Sequence, residues 1–315
     1  MTLTIGVDIG GTKVLGGIVD SAGDVLVQTR RDTPADNPAE TLVRILDVIE
    51  ELLAAHAVEA IGVGAAGWID AARSTVLFAP NLAWRNEPLR NEVQARVDVP
   101  VFVENDANAA AWAEFEFGAA RDIVDSMALF TIGTGIGGGI ILGGQIVRGA
   151  HGMAAEMGHV QMVPEGHPCG CGRTGCAEQY ASGKALVRFA REAAALQPDT
   201  AHRLLALTDG DLSRLTGSLV TRAAQDHDGA ALSAFDQVGF WLGIALADMV
   251  QILDPEVLVI GGGVIEAGDL LLKPTRHSYA DALRQRGKLP VADIRAAKMG
   301  NLAGVVGAAD LARRR

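Results

Sequence analysis

Three cysteines fall within eight positions, in the run Cys169-Gly170-Cys171-Gly172-Arg173-Thr174-Gly175-Cys176. The glycines permit a tight loop that can turn three thiolates toward one centre. Three thiolates with one imidazole make a closed tetrahedral site of the structural zinc type. An odd, clustered set of cysteines also argues against a disulfide framework. Either His159 or His167 can supply the imidazole; His159 closes the wider loop, and His167 stands very near Cys169. A closed site has no open position for water, so no catalytic role is expected of the metal. Glu156 and Glu178 bracket the cluster. A ligating histidine keeps its second ring nitrogen for a hydrogen bond, and a substrate hydroxyl could be that partner.

A second candidate is Glu104-Asn105-Asp106, between the apolar run Val99 to Val103 and a helix-like run from about Ala107 with Trp112, Glu114 and Phe117. Open α/β sheets bind ligands at the carboxyl ends of their strands. The positive end of a helix dipole favours an ionised Asp106. We read Asp106 as a general base that takes a proton from a substrate hydroxyl. Capping the helix is compatible with that role. Asn105 offers donors and acceptors beside it, and Glu104 gains no role.

Two glycine-rich turns could hold phosphate, although the first, taken alone, reads equally as an ordinary hairpin turn. The first is Gly10-Gly11-Thr12-Lys13, preceded by Asp8 and flanked by strand-like runs. Its N–H groups can cradle a phosphate, Thr12 and Lys13 can donate to phosphate oxygens, and Asp8 can hold a metal or a metal-bound water. The second turn, Gly133 to Gly139, follows the strand-like Met127 to Ile132. Residues 3–27 and 127–147 thus read as two copies of one strand–glycine–strand–glycine–strand unit, an internal duplication. Gly133, Gly135 and Gly138 match G-x-G-x-x-G, but Ile140-Ile141-Leu142 follows where a dinucleotide fingerprint needs a helix. The turn is therefore a second phosphate loop. Gly261-Gly262-Gly263, after the buried strand Glu256 to Ile260, lets an adenine or ribose lie against backbone.

The rest of the chain supplies the scaffold. Asn37-Pro38-Ala39-Glu40 opens a helix with Leu42, Ile45, Leu46, Ile49, Leu52 and Leu53 in a buried stripe. Ala60 to Gly64 is a strand, ending in the small-residue loop Ala65 to Asp70 that holds Gly67. Pro80 to Trp84 reads as a loop whose Asn81 could bond a substrate hydroxyl. Helices are expected over Ser182–Leu196, Phe235–Leu253 and Gly300–Arg315, and a last strand over Val291–Arg295. The chain has 315 residues, 49% hydrophobic, enough for one large domain or two ordinary ones. A net charge of −11 repels phosphate backbones, so no nucleic-acid partner is expected. The basic run Arg313-Arg314-Arg315 reads as a solvated tail. No secretory signal is apparent, and Phe240 to Leu253 is too short to span a bilayer, so the protein is expected to be cytoplasmic and off the membrane.

Taken in order, Asp8-x-Gly10-Gly11-Thr12-Lys13, Glu104-Asn105-Asp106, the Thr131 to Gly139 loop, Glu156-Met157-Gly158-His159, the cysteine knuckle with Glu178, and Gly261-Gly262-Gly263 resemble the ROK family of sugar kinases over essentially the whole chain. The C-x-C-G-x-x-G-C-x-E signature is the specific part. Within that family the resemblance is to bacterial glucokinases. It implies an α/β, two-domain actin/hexokinase-like (ribonuclease H-like) fold with a zinc knuckle, hinged over a cleft that holds ATP and sugar. Residues 1–108 with 301–315 would form the smaller domain, and 109–300 the larger one with the zinc loop. It implies Asp106 as catalytic base, and Asn105, Asp106, Glu156, His159 and Glu178, with Gly67 and Asn81, as sugar contacts. Zinc would be held by His159, Cys169, Cys171 and Cys176. ATP and Mg2+ would be held by Asp8, Gly10, Gly11, Thr12, Lys13, Thr131, Gly133, Thr134, Gly135, Gly137 and Gly261–Gly263. The expected reaction is phosphorylation of glucose at its 6-hydroxyl by a homodimer or homotetramer.

Rival acceptors are N-acetylmannosamine, fructose, mannose and allose, and polyphosphate is a rival donor. The family also holds sugar-sensing repressors. Those carry a helix-turn-helix before the first phosphate loop, whereas Asp8 here lies almost at the N-terminus. A sugar-sensing regulator without its own DNA-binding domain is the remaining rival of another class.

Overall fold

A computed structural model describes residues 2–314; Met1 and Arg315, the last of the basic run, lie outside the described residues. The chain divides into two compact units, Met1–Leu129 with Gly138–Ala155 and Ala297–Arg315, and Phe130–Gly137 with Glu156–Ala296. The first unit thus runs past residue 108.

The chain begins with β1 (Thr4–Ile9), β2 (Lys13–Val19) and β3 (Val25–Asp32), an antiparallel meander. Helix α1 (Pro38–Ala55) follows. Its Asn37 accepts the Glu40 N–H and Pro38 opens the first turn, as that tetrapeptide predicts. Ile45, Leu46, Ile49 and Leu52 are buried along one stripe. β4 (Ile61–Ala65) lies parallel to β1. Then come β5 (Trp68–Ile69), within a stretch expected to be loop, and β6 (Val76–Phe78) and β7 (Arg85–Glu87), to which the sequence assigned no element; the three form a small antiparallel sheet. Strands this short carry too little alternation to be read as strands. Helix α2 (Leu89–Gln94), β8 (Val101–Asn105) and α3 (Asp106–Glu116) complete the run, with β8 parallel to β4. The main sheet has the order β3-β2-β1-β4-β8.

A second five-stranded sheet comprises β9 (Met127–Ile132), β10 (Ile136–Leu142), β11 (Gln145–Ile146), β12 (Val257–Gly261) and β13 (Asp293–Ala296), in the order β11-β10-β9-β12-β13. Replacing β1, β2, β3, β4 and β8 by β9, β10, β11, β12 and β13 turns one order into the other. The duplication read from the two glycine-rich units therefore extends to whole sheets. Between β11 and β12 lie α4 (Glu178–Ala181), α5 (Gly183–Leu196), α6 (His202–Leu207), α7 (Gly217–Gln225) and α8 (Gly229–Leu253). Helix α9 (Asp269–Ala282) precedes β13, and α10 (Ala303–Arg313) ends the chain. Helix α8 starts earlier than Phe235, with Asp228 accepting the Ala231 N–H as its cap. At 25 residues it is long and apolar enough to cross a membrane. Its most apolar window is 61% buried within the protein, and it packs against α5 and α9, as the core helix of a globular unit does.

Helix α10 packs on β1, β4 and α3, all within the first unit. Close approach makes this possible. A Cβ built at Gly62 would collide with the Ala308 carbonyl. Arg313 is not a solvated tail residue: its guanidinium donates to Thr4 Oγ1 (2.8 Å), the Val19 carbonyl (3.0 Å) and the Asp20 carbonyl (2.8 Å). Buried carbonyls at the strand β2 end need a donor, and a long cationic side chain can reach them. Overpacking here should be costly. Gly62→Ala is expected to lower stability by roughly 1–3 kcal/mol, read as a drop in the urea midpoint; an unchanged midpoint would refute the close packing of α10 on β4.

Candidate active site and metal cluster

The parallel strands β1, β4 and β8 put Asp8, Gly64 and Glu104 in one row of the sheet, with Ile9, Ala65 and Asn105 in the next. The chain then turns at Asn105. Its Oδ1 accepts the Asn108 N–H at 2.9 Å and so caps α3. Its Nδ2 donates to the Gly67 carbonyl (3.0 Å) and to Asp106 Oδ1 (3.2 Å). Both amide hydrogens are thus used within the protein, which leaves Asn105 Oδ1 spare acceptor capacity. Asp106 is the first residue of α3. Its Oδ1 accepts the Ala107 N–H at 2.9 Å, and Oδ2 has no donor among the described residues. The bonds from Asn105 and Ala107 thus fall on one of its two oxygens. Burial raises the Asp106 pKa, against the lowering effect of the Ala107 and Asp106 N–H groups.

Asp8 is perturbed in the same direction. Burial, then the charge of Asp106, push it up to about 7, with Lys13 opposing them. The turn after it is closed by Gly10 N–H to the Lys13 carbonyl (3.0 Å) and anchored by Thr33 Oγ1 to the Gly10 carbonyl (2.9 Å). Gly11 lies against Asn81, whose Cβ would be 3.1 Å from a Cβ there. Asp8, Gly10, Gly11, Thr12, Lys13, Gly67, Asn81, Asn105 and Asp106 all belong to the first unit.

In the second unit the turn from Gly133 to Gly135 is closed by Gly133 N–H to the Gly135 carbonyl (3.0 Å), and the Gly133 carbonyl accepts the Gly183 N–H (2.8 Å). Gly262 lies on the Ile132 backbone and Gly135 lies on Glu178. The second glycine-rich turn, with Thr131, Thr134 and Gly137 in the same stretch, therefore adjoins Gly262 at Ile132 and Glu178 at the start of α4. Among the described residues, no carboxylate stands at the carboxyl ends of β9, β12 or β13.

His159, Cys169, Cys171 and Cys176 present ligand atoms that all lie within 4.8 Å of one another. Cys169 Sγ is 3.6 Å from His159 Nδ1, and Cys171 Sγ is 3.6 Å from Cys176 Sγ. That is the spacing of ligands around a small ion, and the donor set suits zinc. His167 is absent from this group; its ring lies 5.5 Å from that of Tyr180. The loop is folded by local bonds, Cys169 N–H to the Arg173 carbonyl and Gly175 N–H to the His167 carbonyl, both 2.8 Å. Gly175 has φ of 70°, and a Cβ there would collide with the Val163 carbonyl. Glu178 Oε1 accepts from Cys169 Sγ at 3.0 Å. Burial, with Glu178 adding to it, pushes the Cys169 thiol far up, so a thiolate at Cys169 needs a cation beside it. Metal on Nδ1 leaves His159 Nε2 on the side of Glu156, 4.0 Å away.

Glu104, which had no role in the sequence, is a hub. Its Oε2 accepts from Arg148 Nε at 2.8 Å, and its Oε1 accepts from the Asn105 N–H and Asn108 Nδ2, both at 3.1 Å. Arg148 lies 44 positions away, and no spacing rule connects the two.

This geometry, two copies of a strand–turn unit with glycine loops, a carboxylate heading a helix and a Cys3His cluster, defines a phosphotransferase of the sugar-kinase type. Residues 4–315 match the ROK family, and the chain belongs to it. It is 48% identical over 313 residues to a glucokinase of Streptomyces coelicolor, covering 99% of this chain and 98% of that protein. Among solved structures, a ROK family glucokinase from Streptomyces griseus in complex with glucose and AMPPNP superposes with a TM-score of 0.90 at 47% identity, over 99% of this chain and 100% of that one. A ROK hexokinase from Thermus thermophilus gives 0.82 at 33% identity, over 99% and 98%.

The Asp8 pKa has a measurable consequence. Folded Asp8 titrates near 7 and the unfolded carboxyl near its ordinary 3.8. The folded state then binds the extra proton between those values, so this group's contribution to stability declines as pH rises through that window. Asp8→Asn removes the decline. In protein free of nucleotide and Mg2+, the Tm of the variant should exceed that of the wild type at pH 8, and the gap should shrink by pH 5. A pH-independent gap would contradict the burial of Asp8 as a strained carboxylate.

Proposed function

We propose that this chain is an ATP-dependent glucokinase, transferring the γ-phosphoryl group of ATP to the 6-hydroxyl of glucose. The near full-length 48% identity to the Streptomyces coelicolor glucokinase carries this reading. The half-held carboxylate of Asp106 supports it from the geometry. Phosphoryl transfer needs mostly positioning and charge stabilisation. Asp106 Oδ2 takes the proton of the 6-hydroxyl as that oxygen attacks phosphorus in line and ADP departs. The raised pKa of Asp106 makes it a better proton acceptor than an ordinary surface carboxylate.

Asn105 accepts from a sugar hydroxyl through Oδ1, and Gly67 and Asn81 border the same ligand. Glu156, His159 and Glu178 are the sugar residues of the second unit, with His159 offering Nε2. Carboxylates and amides suit a neutral polyol, whose vicinal hydroxyls donate in pairs. Phosphates are held by Thr12, Lys13, Thr131, Thr134 and the amides of Gly10, Gly11, Gly133, Gly135 and Gly137. Gly261, Gly262 and Gly263 lie along the nucleoside. Asp8 is the group that would hold Mg2+, which when bound neutralises triphosphate charge. His159 Nδ1 and the three cysteines would hold Zn2+, which supplies rigidity to the loop carrying Glu156 and Glu178. The protein is cytoplasmic in this reading, without nucleic-acid or membrane partners. A homodimer or homotetramer fits the exposed apolar side chains of Phe240 and Ile252 on α8.

Three measurements test the proposal. In a coupled ADP-release assay across hexoses and amino sugars, glucose should give the highest kcat/KM; turnover of another hexose in preference to glucose would replace the substrate, and no ADP release with any sugar would end the kinase reading. Asp106→Ala should reduce kcat by roughly 10²–10⁴-fold with glucose binding still detectable by calorimetry. Elemental analysis should find about one zinc per chain, lost in Cys171→Ser; full zinc in that variant would exclude Cys171 as a ligand.

A further inference from the structure

Glu104 is 5% exposed and is the most enclosed carboxylate next to the proposed base. Burying such a charge is costly without a counter-charge and hydrogen bonds to the remaining lone pairs. Glu104 has both. Its Oε2 faces the guanidinium of Arg148, Nε at 2.8 Å and the terminal nitrogen at 2.7 Å, with Arg73 at 3.8 Å. The other oxygen takes the backbone N–H of Asn105 and the side-chain amide of Asn108. Asn108 is itself 2% exposed and gives its own N–H to the Asn105 cap. The carboxylate therefore connects to the first turn of α3 on one side and to two arginines on the other.

Those arginines come from the segments that border the same strand end. Arg73 sits in the β5–β6 turn, at φ of 53°, a left-handed conformation unusual for a non-glycine residue. Asp70 builds that turn by accepting the Ser74 N–H (2.7 Å) and the Thr75 N–H (3.1 Å). Arg148 starts the segment that continues through Gly152, where an added Cβ would collide with the Ile69 carbonyl. The two segments touch each other and both reach Glu104. Gly67, just past the end of β4, is tied to the same cluster through Asn105 Nδ2.

We propose that Glu104, through its ion pair with Arg148, is a positioning residue that fixes Asn105 and Asp106 against the Gly67 loop and so sets glucose affinity and the aim of the base. The inference rests on the glucokinase reading of this site. Glu104 touches no reacting atom; it acts by holding the strand end from which both side chains project. Displacement of such groups by as little as about an ångström is enough to cost reactivity.

The test uses Glu104→Gln, Arg148→Met and Arg148→Lys in the full chain. Glutamine keeps an acceptor for Asn108 and Asn105 but turns an amide toward the arginines. Arg148→Met removes the cation from the more exposed partner and decides the matter if Glu104→Gln does not fold. Each should weaken glucose binding by calorimetry and lower kcat by roughly 10–100-fold, while the KM for ATP stays within about twofold. Arg148→Lys should recover part of the loss, and the double variant Glu104→Gln/Arg148→Met should be no worse than the poorer single variant. Normal glucose affinity and kcat in a folded variant would overturn the proposal, as would glucose and ATP parameters worsening together. Asp106→Asn run alongside separates the two readings. Full turnover there would remove the base assignment, yet weakened glucose binding in Arg148→Met would still uphold the fastening role. An inactive Asp106→Asn with normal glucose binding and turnover in Arg148→Met would remove only the fastening role.

Discussion

Like charges gathered at the ends of neighbouring strands are the constraint around which the first unit is built. Strands β1 and β8 are separated only by β4, so Asp8 and Glu104 stand roughly 10 Å apart across two strand spacings. Asp106 follows two residues after Glu104. Three carboxylates this close cannot share one environment and all remain ionised at low cost. Each is treated differently. Glu104 is neutralised by Arg148 and Arg73. Asp106 has one oxygen bonded at its own helix start. Asp8 has Lys13 opposing its burial and the charge of Asp106, and its pKa rises to about 7. A cation bound beside it would lower that pKa again.

Such an arrangement works only if helix α3 cannot shift, and its far end is fixed as firmly as its start. Glu114 is 1% exposed. It is satisfied by backbone N–H groups of Ala119 (2.7 Å), Lys298 (2.9 Å) and Met299 (2.7 Å). The last two belong to the segment that leads into α10. Farther along, Trp112 Nε1 donates to Asp310 at 2.9 Å, and Asp310 also pairs with Arg313 and Arg314. Two buried acids thus lock α3 to α10, and α10 is in turn seated on β1 and β4 by glycine contacts. The C-terminal helix belongs to the support of Asp106 although it lies about two hundred positions later in the chain.

What could be read from the sequence was local or repeated. The cysteine knuckle closes within eight positions, so its spacing alone pointed to a metal, and the structure chooses His159 where spacing left His167 open. Asp106 was legible because strand and helix patterns meet there. The duplicated strand–turn unit was legible because periodicity of two and clustered glycines recur at both ends of it, and the full sheet order followed the same repeat. The illegible parts were pairings between distant positions. Nothing in the sequence ties Glu104 to Arg148 or Glu114 to Met299, since either acid would look the same on a solvated face. Arg313 was read as tail because a cation at a helix end is usually wet, and only the fold brings Thr4, Val19 and Asp20 beneath it. Strands β5, β6 and β7 escaped because each has only two or three residues.

The duplication also explains how one frame can serve two opposite charges. Aligning β1 with β9 residue by residue puts Asp8 opposite Thr131, since each is the fifth residue of a six-residue strand. The end of β4 is Ala65 and the end of β12 is Gly261; the end of β8 carries Glu104 and Asn105, and β13 ends in Arg295 and Ala296. One copy therefore places acids at its strand ends and the other places hydroxyl, backbone amides and a guanidinium. Acids repel a triphosphate and attract hydroxyl protons and metal ions; amides and hydroxyls accept a triphosphate without adding negative charge. In the first copy the contacts around α3 and α10 hold the buried carboxylates in place.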